Sequence, residues 1–455
     1  MELSDFKSTL EQFGLTDDTQ SGFLELFTRF KQAPINPVAW ENIRTPEPSR
    51  LVPYEELGAA NDTQKNYALS RLAVCKLNGG LGTSMGCREA KSFIKVKDGH
   101  TFLDLIILQL AHFEKSYGVN IPLLLMNSFH THQETLARLQ NQKTSVHIDC
   151  FQQNRYLRLD KETNQPLDPN ILGEDAWYPP GHGDIFSCLQ NQGLMDRLLD
   201  EGKEILFVSN ADNLGAVPDP KIAHTMLEED IPFIMEMTPK TLADIKGGTL
   251  YEDENGKLHL LELAQVPQEY VNAFCGLDKF TVFNTNNIWI HLRHLKKRME
   301  QAPMELSLIV NEKQVFGRPV IQLETAIGGG LECFDGARGI VVGRNRFRPV
   351  KNTSDLMLIQ SDLFVFKDGE MLRNSAYGGK ELPVVKWNEP FVDLGEYRKR
   401  IPVIPDIGEL EFLEIEGDVR FEGKVSLKGR VILIAKDKPV IIPAGVCLEN
   451  YQIIQ

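Results

Sequence analysis

The chain has 455 residues, 42% apolar and 25% charged, enough for two to four folding units at ~100–200 residues each. Gly (35) and Pro (24) are ordinary, which excludes collagenous and low-complexity classes, and branched and aromatic residues are too frequent for a disordered chain. With 49 basic against 63 acidic residues the formal charge is −14; this excludes a broad basic field for a nucleic-acid backbone but leaves room for a small anion in a locally arranged pocket.

The N-terminus, Met1-Glu2-Leu3-Ser4-Asp5, is acidic and lacks an apolar segment, so no secretory signal is expected. Phe6, Leu10 and Phe13, then Phe23, Leu24, Phe27 and Phe30, recur at helical spacing. Pro34, Pro37, Pro46, Pro48 and Pro53 break that pattern and predict an irregular stretch over 33–55, packed on a larger body. From about 66 to 350, short apolar runs (Leu72–Leu77, Ile121–Met126, Val146–Phe151, Ile205–Val208, Phe233–Met237) alternate with amphipathic stretches. Such alternation predicts a mainly parallel sheet covered on both faces. Thr101–Tyr117 opens with a capping-box-like Thr-Phe-Leu-Asp, and Thr249–Tyr251 and Leu258–Leu263 flank Glu-Asn-Gly-Lys, a hairpin signal. The longest apolar run, Phe102–Leu110, is interrupted by Asp104, so no membrane-spanning helix is expected. The seven cysteines are odd in number and none are in C-x-x-C spacing. That argues against a disulfide framework and a structural zinc, and for reduced thiols in the cytoplasm.

The strongest local signal is Lys76-Leu77-Asn78-Gly79-Gly80-Leu81-Gly82-Thr83-Ser84-Met85-Gly86, directly after a predicted strand. Glycines there let backbone N–H groups close on a phosphate chain. The loop is neither a Walker A motif nor a full Rossmann fingerprint. Lys91 begins Lys91–Val96, a predicted second strand, and would bring a cation to the loop; a solvated surface lysine is the alternative. Tyr178-Pro179-Pro180-Gly181-His182-Gly183-Asp184 precedes a predicted helix, Ile185–Leu199, and reads as an anion site or as a capping turn. Asp212 follows the strand that ends in Ser209-Asn210, where ligands collect in open α/β sheets; it reads as a Mg²⁺ ligand or as a helix cap. Lys246-Gly247-Gly248-Thr249, Glu262 and Phe283-Asn284-Thr285-Asn286-Asn287 offer amides and a carboxylate suited to sugar hydroxyls, although the last also suits a turn. Lys351 stands immediately before a predicted N-cap.

Residues 416–433 read EGDVRF, EGKVSL, KGRVIL, with Gly at 417, 423 and 429 and Val at 419, 425 and 431. A period of six with one aliphatic residue per unit fits a triangular parallel β-helix, with an antiparallel meander as the alternative. Ala435–Pro439 is an insertion, and open edges of the last coil would suit self-association.

KLNGGLGTSMG followed by Lys91, AWYPPGHGD, VSNADNLG, KGGTL, FNTNN, IQLETA and PVKNTSDL, in that order, closely resemble the eukaryotic-type UTP–glucose-1-phosphate uridylyltransferase (UDP-glucose pyrophosphorylase) family from about residue 66 to the C-terminus. The resemblance implies an α/β fold: a nucleotidyltransferase Rossmann-like mixed sheet flanked by helices, with a C-terminal left-handed parallel β-helix. It divides the chain into a helical and extended segment (1–65), a catalytic domain (66–350) and a linker with the β-helix (351–455). It implies the reaction UTP + glucose 1-phosphate ⇌ UDP-glucose + pyrophosphate, with Mg²⁺. Leu77, Asn78, Gly79 and Gly80 would line the UTP site, Lys91 would contact the triphosphate, and Met126, Gln153 and Gly181 would border the uracil. His182 and Lys351 would meet the phosphates, Asn210, Gly248, Glu262 and Asn286 the sugar, and Asp212 the metal. Where the family pattern has Gly-Pro before this lysine, the chain has Glu89-Ala90. The rival expectations are a relaxed UDP-sugar pyrophosphorylase and a non-catalytic nucleotide-binding regulator. The partners expected are the two small-molecule substrates, with no nucleic acid or membrane and with possible homo-oligomers through the C-terminal coils.

Overall fold

The apolar runs become an eight-stranded sheet. In the computed structural model, which describes residues 3–32, 38–241 and 247–455, these strands are β1 (Leu51–Pro53), β2 (Leu72–Leu77), β3 (Leu123–Asn127), β4 (Ile148–Gln152), β5 (Ile205–Asn210), β6 (Phe233–Pro239), β7 (Val282–His291) and β8 (Arg338–Val341). Their order is β1-β8-β6-β7-β5-β2-β3-β4. Neighbours are parallel except where β7 runs antiparallel between β5 and β6. Pro34, Pro37 and Lys246 lie outside the described residues.

Side-chain alternation along β2 explains why both faces are covered. Leu72 and Val74 join Phe102, Leu103 and Ile106 of the helix Phe102–Tyr117 in one core. Ala73 and Cys75 join Ile185 and Leu189 of the helix Ile185–Asn191 in another. The predicted capping box holds: Asp104 N–H donates to Thr101 Oγ1 at 3.2 Å, and Thr101 N–H donates to Asp104 Oδ2 at 2.8 Å. The hairpin Thr249–Glu252/Leu258–Leu261 is antiparallel as expected.

Four expectations change. The stretch predicted as irregular over 33–55 contains β1, and its Pro53 is tolerated because β1 is an edge strand. The predicted helix Ile185–Leu199 is two helices, Ile185–Asn191 and Leu194–Asp200, parted at Gly193 with φ +65°. Lys91–Val96 is not a strand: Lys91–Phe93 forms one 3₁₀ turn, because Lys91 N–H bonds back to Gly80 O at 3.1 Å, and only Lys95–Lys97 is extended. Phe283–Asn287 is not a turn but lies near the start of β7, where the ladder shifts and Asn286 takes φ +59°.

The N-terminal helices Leu3–Gln12 and Asp17–Gln32 pack as the phenylalanine spacing requires. Phe6 stacks on Phe27 with ring centroids 4.1 Å apart, and Phe23 stacks on Tyr156 at 4.8 Å. Their core includes Val320 and Leu323 of the hairpin Leu308–Val315/Arg318–Thr325.

The C-terminal strands all pair parallel, which removes the meander. Leu413 pairs with Val431, 18 residues on, and Val419 with Val440, 21 on. The first spacing is three units of six. The second adds the three extra residues of the Ala435–Pro439 corner. Val419, Val425 and Val431 are buried, as are Phe421, Leu427 and Leu433. The repeated glycines sit where the next rung crosses. A Cβ at Gly417 would collide with Ala435 O, at Gly423 with Ala444, and at Gly429 with Asn450. All seven cysteines are unpaired, and among the described residues no helix is long and apolar enough to cross a membrane.

Candidate active-site cleft

Because β2, β3, β4 and β5 run parallel in register, their C-terminal ends meet at one edge. Asn210 faces Leu77, Leu77 faces Met126, and Asn127 faces Gln152. A cleft of about 700 Å³ opens there. Leu77, Asn78, Gly79, Gly80, Lys91, Met126, Gln153, Gly181, His182, Asn210 and Asp212 line it, so most of the residues singled out in the sequence converge.

The glycine-rich loop turns its carbonyls inward. Asn78 O accepts from Thr131 Oγ1 at 2.9 Å, Gly79 O from Ser128 Oγ at 2.8 Å, and Gly80 O from Lys91 N at 3.1 Å. Among the described residues, no hydrogen bond of the chain uses the N–H of Gly79 or Gly80. With the acceptors withdrawn, the loop offers donors, the arrangement that cradles an anion. Gly79 leaves room for its neighbours: a Cβ there would displace the end of the Gln153 side chain at Nε2 and press on Ser128 N at 3.3 Å, whereas one on Gly80 would meet no protein atom. The Asn78 amide supports the loop by donating to Asn127 Oδ1 at 2.7 Å and Thr135 Oγ1 at 3.1 Å. Lys76, first in the motif, is buried in β2 and does not reach the cleft. Its ammonium donates to Ser209 Oγ at 2.8 Å and Ala216 O at 2.7 Å, and burial lowers its pKa to about 7. It ties β2 to the segment after β5 that carries Asp212.

Lys91 Nζ lies 2.6 Å from Asp212 Oδ2, with both side chains about one-fifth exposed. Asp212 Oδ1 is buried with no hydrogen-bond partner. A carboxylate oxygen left free at the mouth of a donor loop fits a hard divalent ion, which takes one or two carboxylates and completes its shell with phosphate oxygens and water. The helix-cap alternative for Asp212 is not seen: the next helix, Pro220–Glu228, is capped by Asp219.

On the opposite wall, Gly181 takes φ +86°, and a Cβ there would collide with Thr325 O, so only glycine fits. His182 Nδ1 accepts from Ile327 N–H at 3.0 Å, which leaves Nε2 as the donor, and burial lowers the ring's pKa to about 4. The sequence reading missed Arg158, Lys313, Gln322 and Glu324, which also line the cleft. Gln322 and Glu324 belong to the IQLETA motif, whose period-2 alternation in the strand Arg318–Thr325 puts both on one face. Burial raises the pKa of Glu324 and lowers that of Arg158.

Asn286, Gly248, Glu262 and Lys351 do not line this cleft. The first three form a relay to it. Asn286 Nδ2 donates to Asn210 Oδ1 at 3.0 Å, Asn286 N to Asn284 Oδ1 at 2.8 Å, and Asn284 N to Gly248 O at 2.7 Å. A Cβ on Gly248 would lie 2.6 Å from Glu262 Oε1, so glycine admits this carboxylate, whose pKa is raised by burial. Lys351 is exposed with its ammonium 5.9 Å from the centre of the Phe347 ring. Its backbone is nonetheless held at the site: Val350 N–H donates to Asp212 O at 3.3 Å, and Asn213 bridges Pro349. Asn352 forms the predicted N-cap, with Asp355 completing a capping box. Glu89 is exposed and Ala90 buried in a bridge to Leu81; neither lines the cleft.

A family model described as UTP–glucose-1-phosphate uridylyltransferase matches residues 20–428. The chain is 45% identical over 441 residues to the UTP–glucose-1-phosphate uridylyltransferase of Musa acuminata, covering 96% of this chain and 94% of that one. It is 43% identical over 459 residues to that of Solanum tuberosum, covering 99% and 96%. Among solved structures, a mutant UDP-glucose pyrophosphorylase of Leishmania major in complex with UDP-glucose superimposes with a TM-score of 0.88 at 29% identity, covering 100% of this chain and 99% of that one. The UDP-glucose phosphorylase of Trypanosoma brucei gives 0.87 at 32%, with the same coverage.

Proposed function

The chain belongs to the UTP–glucose-1-phosphate uridylyltransferase family, and from that premise we propose that its cleft joins UTP and glucose 1-phosphate to make UDP-glucose and pyrophosphate. The observation that carries this reading is the ion pair between Lys91 and Asp212 beside a loop whose carbonyls are tied back. A phosphate oxygen of glucose 1-phosphate attacks the α-phosphorus of UTP; that P–O bond forms as the bond to the β-phosphate oxygen breaks, and pyrophosphate leaves. The attacking monoester is already anionic at pH 7, so no general base is required. The task is to hold two polyanions in line. The Gly79 and Gly80 amides and Lys91 would take the triphosphate, with Leu77, Asn78, Met126, Gln153 and Gly181 forming the nucleotide's walls. Neutral His182 would donate from Nε2 to a phosphate oxygen, and Lys351 would reach the same group by leaving the Phe347 ring. Asn210, Asn286, Gly248 and Glu262 would bind the sugar hydroxyls. Asp212 would hold Mg²⁺, which when bound offsets charge on the phosphate oxygens.

On the same reading residues 1–65 pack on a catalytic body of 66–350, and residues 351–455 form a linker and a left-handed β-helix, which the parallel rungs of three six-residue units support. Open edges at its last rung would serve homo-oligomers, and unpaired cysteines suit the cytoplasm. Family membership favours glucose over a relaxed sugar range, and the exposed Glu89 removes the motive for a non-catalytic regulator. Incubating the protein with UTP, glucose 1-phosphate and Mg²⁺ and measuring pyrophosphate tests the reading, with other nucleoside triphosphates and sugar 1-phosphates as the comparison panel. UTP binding without turnover would refute it.

A further inference from the structure

A second cluster of ligating side chains lies at the other edge of the sheet. His291 ends β7, His294 stands three residues on in the first turn of the helix Leu292–Gln301, and Asp230 follows the helix Pro220–Glu228 in a left-handed conformation, φ +51°. His294 Nε2 is 2.8 Å from Asp230 Oδ1, and His291 Nε2 is 3.8 Å from the same oxygen. All three donor atoms lie within 4.8 Å of one another. His291 is 4% exposed, yet its Nδ1 is buried without a hydrogen-bond partner, and Asp230 stands beyond hydrogen-bond reach of its Nε2. A buried ring nitrogen left without a partner is rare in a folded chain, and Nε2, the nitrogen that faces Asp230 and His294, makes no hydrogen bond of its own and is free to ligate. A cavity of about 600 Å³ opens over the group and is also lined by His224 and Glu228.

We propose that Asp230, His291 and His294 form a binding site for a zinc-class divalent transition metal, separate from the catalytic cleft. Two imidazoles and one carboxylate suit zinc-class ions and do not suit magnesium, which prefers an all-oxygen shell. Tetrahedral coordination at zinc–nitrogen distances sets ligand atoms roughly 3.3 Å apart, and side-chain rotation of about an ångström brings these three to that spacing. Three protein ligands leave a fourth position for water, facing the cavity. The absence of C-x-x-C pairs excludes only a cysteine-built site. The two sites are at opposite ends of one strand: His291 pairs with Ile205, the first residue of β5, whereas Asn210, its last, lines the cleft. A bound ion would fasten the end of the helix Pro220–Glu228 to the far end of β7, the strand that carries Asn284 and Asn286 at its near end.

The test uses the full chain, stripped with chelator and returned to Mg²⁺-containing buffer so that the oxygen site at Asp212 is served. Titration with Co²⁺, read by its visible d–d absorption and by competition with Zn²⁺, should give one equivalent bound by the wild type. His294→Ala and Asp230→Asn should each weaken Co²⁺ binding by at least ~10–100-fold, the scale on which even supporting residues of a metal site act, with UTP affinity unchanged. Both positions are partly or largely exposed, 31% and 74%, so both variants should fold, which circular dichroism checks. No stoichiometric uptake by the wild type, or uptake of unchanged affinity in both variants, would overturn the proposal.

Discussion

Along the Leu77–Gly80 wall of the cleft, the groups offered to a ligand are main-chain amides; next to it Asn210 opens a second wall built of side chains, backed outside the cleft by the Asn286 amide and the Glu262 carboxylate. The first wall depends on what is missing: a Cβ at Gly79, and carbonyls that Ser128 and Thr131 have drawn away. The second depends on side-chain identity, and on Asn286 holding φ +59° at a ladder shift in β7. A wall of backbone donors binds whatever is anionic and fits, whereas a wall of placed amides can distinguish one hydroxyl arrangement from another. The proposed division into a triphosphate side and a sugar side follows from that difference in construction.

The comparison can be broken most forcefully where the walls meet. Lys91→Ala should lower kcat at least ~100-fold in a pyrophosphate-release assay, the scale of losing a preorganised charge stabiliser; unchanged kcat would take Lys91 out of the chemistry. Asp212→Asn should raise the Mg²⁺ concentration giving half-maximal rate by roughly tenfold or more, and an unaltered Mg²⁺ titration would put the ion elsewhere. Each wall can then be probed alone. Gly79→Ala, which overpacks against Gln153, should raise KM for UTP about tenfold and leave KM for glucose 1-phosphate unchanged. Asn286→Gly keeps the left-handed backbone and deletes the bond to Asn210. It should raise KM for glucose 1-phosphate about 3–10-fold, the range of one neutral hydrogen bond, without moving KM for UTP. If either variant shifted both constants alike, the walls would not be separable. The smallest effect concerns His182. Its folded pKa is depressed to about 4, so the ring stays neutral across pH 5–8, and the rate profile should carry no inflection from it. An inflection near 6.5 that vanished in His182→Gln would contradict this. The unfolded ring takes up its proton near 6.5 and the folded ring only near 4. The native state therefore loses stability as pH falls through that window, and the wild type should lose more than His182→Gln in denaturant titrations.

What was legible in the sequence was local. The loop after β2, the capping box at Thr101 and the six-residue repeat each lie within 18 residues of continuous chain, where glycine spacing and apolar alternation act directly on the backbone. The convergence of Leu77, Met126, Gln153 and Asn210 was also accessible, because parallel strands must end on the same side. Lys313, Gln322 and Glu324 were not, because a hairpin delivers them and its place is set by docking against the N-terminal helices; Arg158 reaches the cleft from the segment whose Leu159 pairs with Ile321 of that hairpin. Lys91 lines the cleft beside the glycine-rich loop, but on a backbone its sequence does not announce: its N–H closes that loop instead of joining a strand. The break at Gly193 was hidden by apolar residues that keep helical spacing on both sides of it. Asp230 and His294, 64 residues apart, meet only through tertiary packing, and nothing in their immediate neighbourhoods marks either one.

The rungs at the C-terminus make length a quantised property there. Because Gly417, Gly423 and Gly429 each sit beneath the following turn of chain, deleting one or two residues from a side would slide a bulky group under the next crossing and turn each later valine toward water. Whole rungs of about 18 residues can be gained or lost, and corners can swell, as Ala435–Pro439 has done by three. This part of the molecule is therefore free to evolve in height while its cross-section stays fixed.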